Sequence, residues 1–356
     1  MKHQKVISMF LALLFLFGCS ACGKIKIHTD DSSPVNEIRE DAQIPSGSAA
    51  LNPLSGEPEQ EDLSALRPFA VMVNNISVAL PHVGVGGADW IYEIEAEGGI
   101  TRMMALYSHI QDVPSIGSVR SMRPYFLSLA MSYDAIMIHA GGSDDAYADC
   151  ETYQWDHLDG VRDAAAYSAV FYRDPSRTAH GIEHSVFLYG NRVSDYSDQR
   201  GFRRSHNDGY ETGLAFSAES VSQCVGDAVS VEVNLSSSKK TSFSYHSDIG
   251  KYTGFQYGET YIDGADGSPV LFSNLLILLT QVTDYHDALG HIAVDVVGSG
   301  TGFYFTGGRW LDINWSRDSV DGPFRYTAKD GTPITLTPGK TYCAFVSAEQ
   351  NAVTFY

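Results

Sequence analysis

Basic residues are scarce in this sequence. It has 24 lysines and arginines against 43 aspartates and glutamates, with a formal net charge of −19. A chain of this charge repels nucleic acid and anionic lipid head groups, so neither is expected to bind its surface in general. The few places where arginines lie close together are therefore candidate sites for a small anionic ligand.

Cysteine is rare as well. Cys19 and Cys22 lie near the N-terminus, which leaves only Cys150, Cys224 and Cys343 in the body of the protein. Three cysteines cannot all pair, so a disulfide framework is excluded. Their helix and strand contexts indicate buried thiols rather than catalytic nucleophiles. The fold must depend on its hydrophobic core, for which a hydrophobic content of 44% is ample.

Common catalytic and nucleotide-binding motifs are missing. The sequence has no G-x-S-x-G nucleophile elbow, no P-loop and no G-x-G-x-x-G dinucleotide fingerprint. The glycine-rich stretch Val83–Trp90 precedes a predicted strand instead of following one, so its context does not fit a phosphate-binding loop. These absences argue against the enzymes that carry such motifs, and no cofactor is expected.

Long hydrophobic runs are also absent. The apolar stretch Val6–Phe17 has twelve residues, whereas a helix needs about 20 to cross a bilayer. Lys2 and Lys5 precede this stretch. A short apolar run behind basic residues is typical of a secretory signal peptide.

The residues after this run, "LFGCSACG", resemble a bacterial lipobox. Leu16 lies three residues before Cys19, and the small Gly18 lies directly before it. We predict a signal peptide over residues 1–18 and a diacylglyceryl group on Cys19, which anchors the protein to the outer face of the cytoplasmic membrane. Cys22 is the alternative lipid-bearing residue, although no leucine lies three residues before it. A plain signal peptide with a chance cysteine is the other interpretation.

Composition divides the remainder into three parts. Residues 19–65 are rich in Ser, Pro, Asp, Glu and Asn, which predicts a flexible membrane tether, although "LNPLSGEP" within it has the composition of an arm that docks. Residues 66–210 alternate strand and helix patterns, which predicts an N-terminal α/β domain with a mixed sheet. Residues 218–356 contain only short strand patterns, which predicts a smaller antiparallel β domain. The fold class is thus α+β or α/β.

A β-hairpin is predicted around Gly98 and Gly99, which suit the two positive φ values of a type I′ turn. Pairing outward from this turn places Glu95 opposite Arg102. The alternating glutamates of "WIYEIEAE" are interpreted as the solvated or ion-paired face of the hairpin.

Two loops are expected to share one rim of the N-terminal sheet. A strand ending near Tyr107, a helix over Met122–Ser132 with Ser121 as its N-cap, and a strand ending at His139 form a strand–helix–strand unit, so the two strands are predicted to lie parallel. A second helix, capped by Ser143, follows. Ligands bind beyond the carboxyl ends of parallel strands, where the loops before both helices lie.

Cationic groups gather in these two loops. Arg120 and Arg123 precede the first helix, and His139 and Ser143 flank the Gly-Gly turn before the second. Guanidinium groups and helix N-termini recognise carboxylate or phosphate, and histidine moves protons near neutral pH. We therefore predict an anion-binding site with His139 as a candidate acid or base. Alternatively, the arginines pair with surrounding acids and His139 is a structural residue.

A second basic cluster lies in "FYRDPSRTAHGIEHS", where Arg177 is a candidate anion-binding residue and His184 a candidate acid or base. His180, Glu183 and His184 also match the H-x-x-E-H motif of inverted zinc peptidases, which requires a helix. Gly181 weakens such a helix and no distal ligand is evident, so no metal site is predicted.

Several long motifs, in this order, resemble the YerB-like family of bacterial lipoproteins. They are "RPFAVMVNN", "ADWIYEIEAEGGITRMMALY", "IGSVRSMRPYF", "DAIMIHAGGS", "FYRD" with "SR", and "IAVDVVGSGTGFYFTGGRW" with "LTPGKTY". The resemblance covers about residues 52–356. It implies an extracytoplasmic lipoprotein of Gram-positive bacteria with an N-terminal α/β and a C-terminal β domain, and it implies no particular activity.

The resemblance also extends to single residues. The family pattern includes arginines matching Arg102, Arg120, Arg123 and Arg177 and histidines matching His139 and His184, which adds Arg102 to the candidate anion-binding residues. The family carries a Pro-His pair where this chain has "HGIEHS", and it has no histidine matching His180. That difference further weakens the zinc interpretation.

Three functions are compatible with these observations. The leading one is a cell-envelope binding protein whose arginines hold an anionic wall fragment, peptide or sugar-phosphate. The second is an envelope hydrolase or transferase that uses His139 or His184 beside an arginine clamp. The third is a scaffold for protein partners, in which the arginines are locked in internal ion pairs.

Overall fold

The computed structural model describes residues 50–348 and 351–356. The predicted signal peptide, Cys19, Cys22 and the tether up to residue 49 lie outside the described residues. Within the described part, no helix has the length and apolarity needed to cross a membrane. Cys150, Cys224 and Cys343 are free and buried.

The chain up to residue 199 contains ten strands and four α-helices among the described residues. The strands are β1 (Ala50–Leu51), β2 (Pro58–Glu59), β3 (Phe69–Asn75), β4 (Trp90–Glu95), β5 (Thr101–Tyr107), β6 (Ile116–Gly117), β7 (Ile136–His139), β8 (His157–Asp159), β9 (Phe171–Arg173) and β10 (Val186–Leu188). The helices are α1 (Pro124–Ser132), α2 (Asp144–Tyr153), α3 (Ala164–Val170) and α4 (Gly190–Gln199).

The rest of the described chain is built from strands. They are β11 (Gly226–Asp227), β12 (Ser230–Asn234), β13 (Lys240–His246), β14 (Lys251–Gln256), β15 (Glu259–Thr260), β16 (Leu271–Phe272), β17 (Asn274–Thr280), β18 (Val282–Asp284), β19 (Ile292–Val294), β20 (Gly298–Thr306), β21 (Arg309–Arg317), β22 (Arg325–Ala328), β23 (Thr341–Ser347) and β24 (Val353–Phe355).

An eleven-stranded mixed sheet, here called the central sheet, organises the molecule. Its order is β11–β21–β20–β17–β23–β4–β5–β3–β7–β8, and β22 pairs with β21. The mixed sheet and the α+β class are confirmed. The prediction that β5 and β7 lie parallel is wrong: β7 is parallel to β3, and β3 is antiparallel to β5, so β5 and β7 run in opposite directions within the sheet. Both edges of β5 are occupied, by β4 and β3, so β7 adds beside β3.

Both regions of the chain contribute to the central sheet. Strand β23 pairs in parallel with β17 on one side and with β4 on the other. The boundaries drawn near residues 210 and 218 remain a prediction, but strands from both sides of them join in one hydrogen-bonded sheet. The other long strands form an antiparallel six-stranded sheet, β15–β14–β13–β12–β24 with β16 on β14, here called the second sheet.

The central sheet is covered on both faces. On one face, Val71 and Tyr342 belong to a core that includes Phe243 and Phe272 of the second sheet and residues of α3 and α4. On the other, Met72 belongs to a core that includes residues of α1. A strand buried on both faces needs apolar residues at successive positions. Coverage on both faces explains why every residue of β3, "FAVMVNN", is buried, and its first five residues are accordingly all apolar.

The last part of the predicted tether is packed against the body. Leu54 and Leu63 are buried, and β1 pairs with β2. The side-chain oxygen of Asn52 accepts hydrogen bonds from the backbone N–H groups of Leu54 (2.9 Å) and Ser55 (3.2 Å). Residues 50–65 therefore form a docked arm, the alternative that the composition left open.

The predicted N-cap is confirmed for α2 but is wrong for α1. Ser143 caps α2 as predicted, since its hydroxyl accepts a hydrogen bond from the N–H of Ala146 at 3.3 Å. The N-cap of α1 is Arg123, not Ser121, and Pro124 is the first helical residue. Ser121 instead donates its hydroxyl to the carbonyl of Ala140 at 3.2 Å.

Glu93 joins the two sheets through a buried polar network. Its carboxylate is completely buried and lies 3.1 Å from the ammonium group of Lys239, which precedes β13. Five neutral side chains also donate hydrogen bonds to it at 2.7–3.0 Å: Asn75, Thr101, Thr241, Gln256 and Tyr342. Burial alone would raise the pKa of Glu93, but Lys239 and the hydrogen bonds hold it below its usual value.

The network corrects the interpretation of the alternating glutamates. Glu93 is ion-paired, but with the second sheet and out of contact with water. A buried carboxylate without partners would be prohibitively unstable, and the six donors make its burial possible.

Replacing one partner of this pair is expected to destabilise the protein strongly. Glu93→Gln leaves the Lys239 ammonium buried without a counter-charge, so the free energy of unfolding should fall by about 3–5 kcal/mol. The double variant Glu93→Gln/Lys239→Met should recover part of the loss. Urea unfolding followed by tryptophan fluorescence measures both.

The exposed pair between Glu232 and Lys240 (2.7 Å) provides the matched control. Lys240→Met should change stability by less than about 1 kcal/mol. Equal effects of Glu93→Gln and Lys240→Met would contradict the role given to the buried pair.

Candidate functional site

The two loops expected at one rim do lie side by side. The segment before α1 passes between the carboxyl ends of β3 and β7. Its Arg120 N–H donates to the carbonyl of Met72 (3.1 Å), and its Arg120 carbonyl accepts from the N–H of Ala140 (3.0 Å). The Met122 N–H then donates to the carbonyl of Gly141 at 3.0 Å. Hydrogen bonds on both edges fix the position of this segment.

The hairpin beside this rim has a register different from the predicted one. Gly98 and Gly99 both have positive φ, of 65° and 76°, as expected. However, Ala96 N–H bonds to the carbonyl of Ile100, which makes the loop three residues long. Arg102 is consequently opposite Ile94, and Glu95 is opposite Thr101. The predicted Glu95–Arg102 pair is therefore wrong.

Glu97, in the hairpin loop, binds two of the candidate arginines. One of its carboxylate oxygens lies 2.8 Å from a terminal nitrogen of Arg102, and the other bonds to the side chain of Arg123. Arg102 also donates to the carbonyl of Ser121 at 3.2 Å. We call Arg102, Arg120 and Arg123 together with Glu97 the arginine cluster.

Charge in the cluster shifts the pKa values of its members. Arg102 is buried, and burial together with Arg123 lowers its pKa to about 10. Burial opposes ionisation of Glu97, but Arg102 and Arg123 hold its pKa below the usual value. One carboxylate thus forms ion pairs with two guanidinium groups.

Arg120 is the arginine of the cluster without a partner. In the described part of the chain its guanidinium group has no hydrogen bond or ion pair, although the residue is half-buried. Burial lowers its pKa, the Glu183 carboxylate offsets part of that effect, and Arg123 adds to it. A partly desolvated cation beside two others is an unfavourable arrangement unless an anion joins it.

His184 lies next to this group. The side-chain amide of Asn74 donates to its Nδ1 at 2.8 Å, so the proton of the neutral ring is on Nε2. Nε2 lies 3.6 Å from a carboxylate oxygen of Glu183. Burial lowers the pKa of His184, and Arg120 contributes to the shift. The ring therefore presents a neutral N–H donor close to Arg120.

His139 is buried away from this surface. Its Nδ1 lies 2.9 Å from the carbonyl of Gly141, and its Nε2 lies 2.9 Å from Nδ1 of His157. Burial lowers its pKa well below the usual value, although Asp159 opposes that effect. Both nitrogens are engaged and the side chain has no contact with solvent. This geometry favours the structural interpretation of His139 over the acid/base one.

Ser143 and Arg177 are occupied by structural contacts. The Ser143 hydroxyl caps α2. The Arg177 guanidinium group donates to the carbonyls of Leu80 (3.0 Å) and Pro81 (2.7 Å). Arg177 thus stabilises the loop before β4, and it does not belong to the arginine cluster.

The H-x-x-E-H stretch does not form the helix that zinc binding by this motif requires. Thr178–His180 and Ile182–His184 are two separate 3₁₀ turns, and Gly181 between them has a φ of 119°. His180 is exposed, whereas His184 is buried. The two histidines therefore do not share a helix face.

Sequence reasoning missed Glu97 and Asn74 as members of this site. The signal for Glu97 was its place directly before Gly98 and Gly99, which puts its side chain at the end of the hairpin. Asn74 ends a buried strand, where a polar residue indicates a hydrogen-bonded role. Neither signal identifies the partner, because the partners come from distant parts of the sequence.

Comparison with known proteins agrees with this architecture. Residues 54–203 match the N-terminal domain of a protein family of unknown function, DUF3048, and residues 231–343 match its C-terminal domain. A Bacillus subtilis (strain 168) protein named as a lipoprotein, YerB, is 27% identical over 300 residues, covering 83% of this chain and 85% of that protein. The crystal structure of YerB from Bacillus subtilis superimposes with a TM-score of 0.73 at 25% identity, over 86% of this chain and 99% of that one.

The burial of His139 predicts a specific pH dependence of stability. Its pKa is depressed in the folded state, so the unfolded state binds more protons at acidic pH. The stability from the neutral ring is present above about pH 6.5 and is lost as the pH falls below that value. His82, also buried, with a pKa of about 4, adds to the same trend.

His139→Gln should lower the free energy of unfolding at pH 7.5 because its hydrogen bonds are lost. The variant should also show a smaller decline of the free energy of unfolding as the pH falls from 6.5 toward 4. Urea titrations across this range measure both quantities. An unchanged slope in the variant would show that His139 is not neutral in the folded state.

Proposed function

The chain belongs to the DUF3048 family, and we propose that it is a membrane-anchored extracytoplasmic lipoprotein that binds an anionic cell-envelope ligand at Arg120. The observation that carries this proposal is the unpartnered guanidinium group of Arg120 beside Arg102 and Arg123. Arg102 and Arg123 share the carboxylate of Glu97, which leaves Arg120 without a carboxylate partner, in a chain that otherwise has an excess of acids.

Membrane attachment is proposed from the N-terminal sequence. The lipobox-like residues around Cys19 and the name of the YerB relative both support lipidation. Cleavage before Cys19 and diacylation of its thiol would anchor the chain on the outer face of the cytoplasmic membrane. The proposed ligand is accordingly one that occurs outside that membrane.

The donors near Arg120 suit a carboxylate or phosphate. The guanidinium fork offers two parallel N–H groups, and the Nε2–H of His184 offers a third from a neutral ring. No titration of His184 is needed for binding, because the proton is on Nε2 when the ring is neutral. A wall peptide with a free carboxylate and a sugar-phosphate both fit this chemistry.

The alternatives are less well supported. For the hydrolase or transferase, His139 has no access to solvent, which leaves His184 as the candidate acid or base. For the scaffold, Arg102 and Arg123 are indeed held by Glu97 and Arg177 by carbonyl groups. Arg120 is the candidate arginine that such internal pairing does not explain.

Two arginine substitutions should separate binding from stability. Arg120→Gln should weaken anion binding about tenfold or more, since a hydrogen-bonded charge contributes about 1.5–3 kcal/mol, and should leave the melting temperature unchanged or higher. Arg123→Gln should lower the melting temperature, because it removes one of the two guanidinium partners of the partly buried Glu97. Isothermal titration with inorganic pyrophosphate and with acetyl-D-alanyl-D-alanine distinguishes phosphate from carboxylate ligands.

The exposed Arg192, which lies over the ring of Tyr189, is the charge-matched control. Arg192→Gln should bind both probes like the wild type. Equal affinities of wild type and Arg120→Gln, or no binding of either probe by wild type, would overturn the proposal.

A further inference from the structure

A cleft of about 470 Å³ lies between α1 and α2 on one side and the β18–β19 hairpin on the other. Its floor is apolar and includes Leu127, Met131, Val294 and Val296, all of them buried. The exposed ring of Tyr285 contributes to the wall. The cleft therefore combines the shape and the apolar floor of a binding groove.

The polar border of this cleft is acidic. Asp145 and Asp149 of α2 and Asp295 after β19 line it. In the described part of the chain none of these three carboxylates has an ion pair. Burial raises the pKa of Asp149, and the nearby Asp145 adds to the shift. The three groups form an uncompensated negative field over an apolar floor.

The basic side chains at the border already have carboxylate partners within the protein. Arg123 bonds to Glu97, and His291 lies 2.7 Å from a carboxylate oxygen of Asp287. Asp144, which also lines the cleft, has a fully exposed side chain paired with Arg162 at 3.5 Å. The charge that an occupant would meet is consequently negative.

We propose that this cleft is a docking site for a basic, apolar-rich peptide segment of a partner protein. Lysine or arginine side chains of the segment would lie against Asp145, Asp149 and Asp295, while its apolar side chains cover the floor. Charge complementarity selects the sign of the partner, and the exposed apolar residues of the cleft wall, Tyr153, Tyr285 and Val297, supply the area that an occupant covers. This site is separate from Arg120, and the proposal does not depend on the anion-binding function.

Long basic side chains suit this arrangement better than a small cation does. Their methylene stems cover apolar surface while the charged end reaches a border carboxylate. The acids come from two elements, α2 and the segment after β19, so an extended segment that contacts both would be held at more than one point.

The test uses the full chain and a short fluorescent peptide of alternating lysine and leucine, with the glutamate–leucine counterpart as the charge-reversed probe. Fluorescence anisotropy should show binding of the lysine peptide that weakens with salt, and no binding of the glutamate peptide. Asp145→Asn/Asp149→Asn/Asp295→Asn should weaken binding of the lysine peptide about tenfold, because it removes all three border carboxylates.

A matched variant controls for net charge. Asp248, Glu219 and Glu259 are exposed and do not line the cleft. Their triple neutralisation to Asn, Gln and Gln should leave binding unchanged. Tyr285→Ser should weaken binding severalfold while keeping the salt dependence, because it removes apolar area only.

Two results would overturn the docking site: an equal loss in both triple variants, which would mean non-specific attraction, or full binding by the Asp145/Asp149/Asp295 variant. Arg120→Gln should bind the lysine peptide normally. This measurement shows whether a negative result concerns the proposed peptide cleft or the proposed anion site.

Discussion

The buried ion pair between Glu93 and Lys239 is the constraint on which the packing of the two sheets depends. Both charges are out of water, so any arrangement that separates them leaves two desolvated charges without compensation. Five further donors satisfy the same carboxylate, and they come from both sheets. Strand β4 also leads directly into the loop that holds Glu97. The strand fixed by the core pair thus sets the position of the residue that organises the arginine cluster.

Features determined by neighbouring residues were predictable from the sequence. An apolar run such as Phe69–Val73 of β3 is typical of a buried strand, and Ser143 ahead of two acids indicated a helix cap. Features determined by distant residues were not. The glycine pair gave the turn, but whether two or three residues form the loop depends on how the flanking strands pack, and this sets the partner of Arg102. The burial of Glu93 depends on Lys239, which lies far along the chain.

The candidate site shows the same division. The sequence placed Arg120 and Arg123 beside the Gly141 loop, and the structure has them there. It did not distinguish an arginine held by an internal carboxylate from one left open, because that distinction rests on Glu97 and its hairpin register. Arg123 lies where two surfaces of opposite character meet: the cationic cluster on one side and the acidic cleft on the other. Arg123 is held between them by the Glu97 carboxylate, which it shares with Arg102.

The place of β23 in the central sheet has a consequence for biosynthesis. Until Thr341–Ser347 have been made, one edge of β4 exposes an unpaired row of amide and carbonyl groups, as does one edge of β17. Such edges invite pairing with other chains. The N-terminal region therefore cannot finish its sheet as the chain emerges, and a chain truncated before residue 341 should be a target for chaperones and proteases rather than a stable fragment.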